Sequence, residues 1–168
     1  LDELVADLRG LPPALRPLLV ADTLVRFANG MVYVFFVIVV VDFLEVGLAV
    51  GPVALGPEVF FGVLLAIEML VALVSMPVAA RVAELVGLKP VVAVGFSVYA
   101  LFPALLISAP ANALVVGALF AFSGLRFAGL PAHKALIVGP ADEETGGRVT
   151  GSYYLVRNDL VVPSAALG

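Results

Sequence analysis

PVVAVGFSVYALFPALLISAPANALVVGALFAFSGL, residues Pro90–Leu125, is a run of 36 residues without one charged side chain. As a single helix it would reach roughly 54 Å at 1.5 Å per residue. The hydrocarbon core of a bilayer is about 30 Å thick and is crossed by about 20 residues. The run therefore has to fold back on itself. Ser108-Ala109-Pro110-Ala111-Asn112 is the place, because a proline followed by a short polar residue signals a turn and a helix start. One span is expected at about 89–107 and the next at about 112–134. The other reading of β-branched stretches such as Val37–Val41 is buried strands of a soluble α/β fold, but such strands run only about 4–8 residues, and lipid excludes open sheet edges.

The rest of the chain has the same character. Of 168 residues, 62% are apolar and 13% charged, with a mean hydropathy of +1.16. A soluble domain runs at about 25% charged and about 45–50% apolar, so composition points to an integral membrane protein. The net charge of −4 would repel a phosphate backbone, which argues against a nucleic-acid partner. The absence of cysteine excludes disulfides, thiolate metal sites and cysteine nucleophiles.

Three further spans are expected, at about 18–48, 58–85 and 147–168. The first holds the dense apolar stretch Gly30–Val41 and is broken by Gly47, Gly51, Pro52, Gly56 and Pro57. Pro57-Glu58 opens the second, since proline suits a first helical turn and an acid complements its dipole. Arg9 and Arg16, Arg81 and Lys89, and Lys134 and Arg148 flank alternate loops, whereas the loops at 47–57 and 108–112 carry no cation. By the positive-inside rule this gives five spans with the amino terminus cytoplasmic, in a multi-pass protein of the cell membrane. Residues 1–17 read as a cytoplasmic linker, and Asp2–Gly10 as a short amphipathic helix. Residue 1 is Leu and residue 168 still lies in an apolar segment, so the chain is expected to be part of a larger membrane protein, incomplete at its C-terminus.

Six charged residues fall within spans: Asp22, Arg26, Glu68, Arg126, Arg157 and Asp159. Charges at such depth cost about 2.5–3.5 kcal/mol each on insertion scales and usually face a partner or a cavity. Asp22 and Arg26 are spaced i,i+4 and can pair, and Asn29 and Tyr33 continue their face. Arg157, Asn158 and Asp159 form a second polar group. Glu68 lies roughly 15 Å from the outer face and Arg157 roughly 14 Å from the inner one, so a Glu68–Arg157 pair is allowed, with Arg126 nearer the cytoplasm. For each charge two readings stand: a structural pair, or part of a water-filled path in which Glu68 is a candidate proton carrier.

Other features carry less. His133, the one histidine, is read as a surface residue, since a lone histidine makes no metal constellation. Gly147–Gly151 and Gly47–Gly51 match a close-packing spacing, and Pro77, Pro103 and Pro163 lie within spans. No Walker loop, dinucleotide fingerprint, HExxH or GxSxG is present, so no enzyme, cofactor or metal is expected. The compact acidic run Asp142-Glu143-Glu144 is read as a solvated loop.

At the second cytoplasmic loop, Ala80-Arg81-Val82-Ala83-Glu84-Leu85-Val86-Gly87-Leu88-Lys89 resembles the G-x-x-x-D-R-x-G-R-K loop motif of the major facilitator superfamily. Arg81, Glu84, Gly87 and Lys89 carry the resemblance, while Ala80, Leu85 and Leu88 depart from the motif, as copies in the carboxyl-terminal half of this family commonly do. The span opening with Asp22 and Arg26, and the later loop Pro140–Arg148 leading into Gly151-Ser152-Tyr153-Tyr154, are similar to the family's layout. The resemblance implies an all-α bundle whose five spans match helices seven to eleven of twelve. It implies a secondary active transporter that moves a small solute by alternating access; Glu68, as the candidate proton carrier, would couple that transport to protons. Its partners would be the lipid bilayer, the solute, protons and the N-terminal half of the same transporter. The same resemblance implies a transport cavity lined by Arg26, Asn29, Tyr33, Glu68, Arg126, Arg157 and Asn158. The other function open to the residues is a non-catalytic helical membrane module, such as a sensor, assembly or scaffold subunit.

Overall fold

The computed structural model describes residues 11–33, 35–139 and 146–163. The expected amphipathic helix over 2–10, the acidic run 142–144 and the end of the last expected span lie outside them. A 3-10 turn, Pro13–Leu15, leads into α1, Arg16–Tyr33. The short helix α2, Phe35–Ile38, widens into a π-turn over Val39–Phe43, where the Leu44 amide reaches back to the Val39 carbonyl at 2.8 Å. The segments 13–32 and 35–43 meet at 46°. The single first span expected over 18–48 is therefore a bent pair of helices.

Among the described residues the architecture is all-α apart from a short hairpin in the first loop. Residues Leu48–Val50 (β1) and Val53–Leu55 (β2) form a two-stranded antiparallel hairpin with Leu48 opposite Leu55. Its turn is Gly51-Pro52, with Gly51 at φ +59°, a conformation glycine adopts freely.

Pro57 then opens α3, Pro57–Val86. This helix stops at Gly87, whose amide donates to the Ala83 carbonyl at 2.9 Å and whose φ is +90°. Without a side chain Gly87 turns the chain in one step, and α4, Leu88–Ile107, begins at the next residue. Both helices run unbroken through Pro77 and Pro103. At the far end Asn112 caps α5, Ala113–Gly124: its Oδ1 accepts from the Leu114 and Val115 amides at 2.9 and 3.2 Å, satisfying two of the orphan donors of a helix start. A 3-10 turn, Leu125–Phe127, separates α5 from α6, Leu130–Val138. Finally α7, Gly146–Val161, ends before Pro163, which thus follows the helix instead of lying inside it.

Three apolar clusters give the direction of each helix. The first joins Phe36, Val40, Phe60, Leu64, Phe102, Leu106, Val116 and Phe120. Another joins Ala83, Val91, Val92 and Ala132. So α3 runs from the first cluster to the other, α4 returns, and α5–α6 runs back again. The third, Leu11, Leu19, Ile137, Tyr153 and Val156, ties the start of α1 to α6 and α7. Arg16, Arg81, Lys89, Lys134 and Arg148 belong to segments at this second end. The hairpin and the 108–112 turn stand at the first.

Among the described residues three segments, Pro57–Val86, Leu88–Ile107 and Ala113–Val138, are long and apolar enough to cross a membrane, and the bent pair, taken as one span, makes a fourth. Among the described residues α7 does not join them. Their outer faces are apolar: Leu70, Leu73, Val74, Leu101 and Leu114 are all more than half exposed. Exposed apolar surface of that extent calls for an apolar environment.

Candidate functional site

Small residues bring the buried charges together. At Gly124 a Cβ would stand 2.6 Å from the Glu68 carbonyl oxygen, so only glycine lets α5 touch the backbone of α3 there. Two residues later Arg126 faces Glu68. Gly95 and Gly129 similarly admit the Arg126 and Val91 carbonyls at 3.3 and 3.2 Å from where a Cβ would be, closing α4 onto the break between α5 and α6. The glycine spacings at 47–51 and 147–151 do not act this way: nothing lies within 4 Å of a Cβ at Gly51, Gly147 or Gly151, and Gly47 approaches Leu55 of its own hairpin.

Glu68 and Arg126 are 2% and 4% exposed. Arg126 Nη2 lies 2.8 Å from Glu68 Oε1, and Ser123 Oγ donates to the same oxygen at 2.5 Å. The Arg126 guanidinium also sits 4.7, 5.0 and 5.8 Å from the ring centres of Phe127, Tyr99 and Phe102. Rings at such distances attract a cation through their negative faces. Its Nε and Nη1 are buried without a hydrogen-bond partner among the described residues.

A second network centres on Asp22, which is fully buried. Arg26 Nε donates to Asp22 Oδ1 at 2.6 Å. On Oδ2 converge His133 Nε2 at 3.2 Å, Arg157 Nη1 at 3.5 Å and the donating Tyr153 hydroxyl at 3.3 Å. One carboxylate thus ties α1 to α6 and α7. Tyr153 stands edge-on to His133 with ring centres 6.0 Å apart. Arg157 also donates to the Asn158 Oδ1 and lies 4.6 Å from the Tyr154 ring centre.

Several expectations change. The pair allowed between Glu68 and Arg157 does not form: Glu68 takes Arg126, and Arg157 goes to Asp22. Heights counted along helix axes ignored the reach of the arginine side chain, which closes the difference in depth between Arg126 and Glu68. His133 is 4% exposed and not a surface residue, because Gly129, one turn earlier, draws α6 against α4. Asp159 is exposed and takes no part in the Asp22 network. Two positions past Arg157 is about 200° around a helix, the opposite face.

The remaining site residues are scattered. The Asn29 Oδ1 is buried without a partner among the described residues, Asn158 is exposed, and the side chain of Tyr33 lies outside the described part. Arg81, Glu84 and Lys89 are exposed around the Gly87 corner, and among the described residues no ion pair joins them. Ser123 and Tyr153 escaped the sequence reading. Each carried a signal, standing three and four residues before an intramembrane arginine on the same helical face.

Among the described residues, cavities adjoin both networks. One of about 10 Å³, the size of a single water, is bordered by Arg26, Tyr99, Arg126 and His133 and so lies between the networks. The other, about 270 Å³, is lined by Phe36, Val37, Phe61, Leu65, Phe102 and Phe120, with Glu68 as its one ionisable lining residue. No family model, curated protein or solved structure matches this chain.

Proposed function

We propose that the chain is part of a secondary active membrane transporter of the major facilitator type, moving a small solute by alternating access with proton coupling at Glu68. In this reading its helices form five spans of the plasma membrane, the cation-bearing end is cytoplasmic, and a further helical half completes the pathway. One observation carries the proposal: a buried carboxylate midway along a 30-residue apolar helix borders a 270 Å³ cavity and pairs with a cation from a different helix. Intramembrane ionisable groups of this kind ordinarily mark pathways. A proton arriving on Glu68 would cancel its charge and free Arg126, so that loading and helix contact become linked.

The test is uptake by the full-length protein in liposomes under a pH gradient, across a panel of small solutes. Glu68→Gln is expected to abolish proton-driven accumulation while leaving downhill exchange. Unchanged proton-driven uptake by that variant would remove Glu68 from the mechanism.

A second reading, a non-catalytic membrane module, has its own support, because Asp22 and Glu68 are both already paired with cations. It expects no aqueous access to the cavity. The cysteine-free chain suits the comparison: labelling of Leu65→Cys by a water-soluble maleimide favours the pathway, and inertness favours the module.

A further inference from the structure

The walls of the cavity beside Glu68 restrict what it can hold. Phe36 meets Phe102 edge-to-face at 5.1 Å, Phe102 meets Phe120 at 5.4 Å, and Phe120 meets Phe61 at 5.8 Å. Four rings thus form one continuous aromatic wall, with Leu65 and Val37 beside it and the Glu68 carboxylate as the ionisable member of the lining. We propose that this cavity binds a small lipophilic monocation, an aromatic amine or quaternary ammonium. The proposal deepens the transport reading by naming the solute class, and it rests on that reading for turnover though not for binding.

Each feature selects against the alternatives. A volume of 270 Å³ lies just below the range of about 300–1,000 Å³ for drug-sized clefts, so the ligand is compact. Arg126, which pairs with Glu68 at 2.8 Å, is not part of the lining, so an anion would meet the carboxylate first, at short range in a medium of low dielectric. A neutral polar solute would lose its water without finding hydrogen-bond partners on phenylalanine walls. A cation gains from both the carboxylate and the ring faces, while its apolar body replaces solvent along Leu65 and Val37. Sharing Glu68 does not strand Arg126, which keeps its seat over Tyr99 and Phe127. Val37 is 39% exposed and forms an open edge through which a ligand can enter.

The experiment is equilibrium dialysis of the full-length protein in nanodiscs against radiolabelled benzyltrimethylammonium. Its neutral isostere neopentylbenzene and the anion phenylacetate serve as competitors at matched free concentration. The cation is expected to half-saturate at a concentration at least tenfold below that at which the neutral isostere displaces it, and phenylacetate should not compete. Val37→Trp fills the cavity from its open edge without touching the ion pair, and should abolish binding. Glu68→Gln should weaken it at least tenfold. Equal affinity for cation and neutral isostere overturns the proposal in favour of a hydrocarbon pocket for lipid tails, and so does binding unaffected by Val37→Trp. Those two comparisons stand even where Glu68→Gln fails to fold. Cation binding without uptake in liposomes upholds the site and removes the transport reading; uptake of an unrelated solute without cation binding does the reverse.

Discussion

Asp22 is the residue on which three helices depend. It holds Arg26 from its own helix, His133 from α6 and Arg157 with Tyr153 from α7. Removing one partner from a buried ion pair leaves an uncompensated charge and costs about 3–5 kcal/mol, whereas a single hydrogen bond to a charged group is worth about 1.5–3 kcal/mol. Asp22→Asn is therefore expected to destabilise the protein by several kcal/mol, and Tyr153→Phe by about 1.5 kcal/mol, the low end, because its bond to the carboxylate is long at 3.3 Å. Unfolding in mixed micelles by added dodecyl sulfate measures both. Equal effects would mean that the network is held by packing and not by charge. The i,i+4 spacing of Asp22 and Arg26 was readable in the sequence because a helix fixes which side chains share a face. His133 was not, since no local pattern records that a helix 111 residues away brings a carboxylate to it.

Between helices, single glycines decide the geometry. Gly124→Ala places a methyl against the Glu68 carbonyl oxygen, 2.6 Å away, and overpacking of this kind costs about 1–3 kcal/mol. Gly87→Ala meets no atom within 4 Å but forces a side chain into φ +90°, ψ 165°, a region almost reserved for glycine, at about 1–3 kcal/mol. Similar losses of stability are thus expected by different routes, and they separate in function. Gly124→Ala moves Arg126 relative to Glu68 and should impair cation binding in the cavity, while Gly87→Ala should leave it intact. A Gly124→Ala protein with unchanged binding would show that α5 and α3 can part without disturbing the pair. Helix ends were the most legible elements: Pro57, Gly87, Pro110 and Asn112 stop or start helices by rules of backbone geometry that need no tertiary context. The 46° bend between the segments 13–32 and 35–43, the hairpin at 48–55 and the break after Gly124 were not legible. The break after Gly124 follows the point where α5 packs directly on the backbone of α3, a contact that no local pattern records.

At the scale of the molecule, sequence and structure agree on an alternation. The cations Arg16, Arg81, Lys89, Lys134 and Arg148 were assigned to one side from their spacing alone. Two apolar clusters show the direction reversing from α3 to α4 to α5–α6, and a third packs α7 beside α6 and the start of α1, which brings those cations to one end and the hairpin and the 108–112 turn to the other. Apolar side chains cover the outside between the two ends. In a bilayer this arrangement allows one topology consistent with cytoplasmic cations. Single cysteines in the cysteine-free chain read it directly. A membrane-impermeant maleimide applied outside intact cells should label Pro52→Cys and Ala109→Cys. Arg81→Cys and Arg148→Cys should react only after the cells are opened. Labelling of all four from outside would break the alternation, and with it the five-span reading. Labelling of 81 and 148 alone from outside would keep the alternation and invert it, leaving the cations on the outer face. The distinction reaches back to Glu68, because the 270 Å³ cavity beside it shares Phe36, Phe102 and Phe120 with the apolar cluster at the hairpin end: cytoplasmic cations would put that end, and the cavity with it, nearer the outer face.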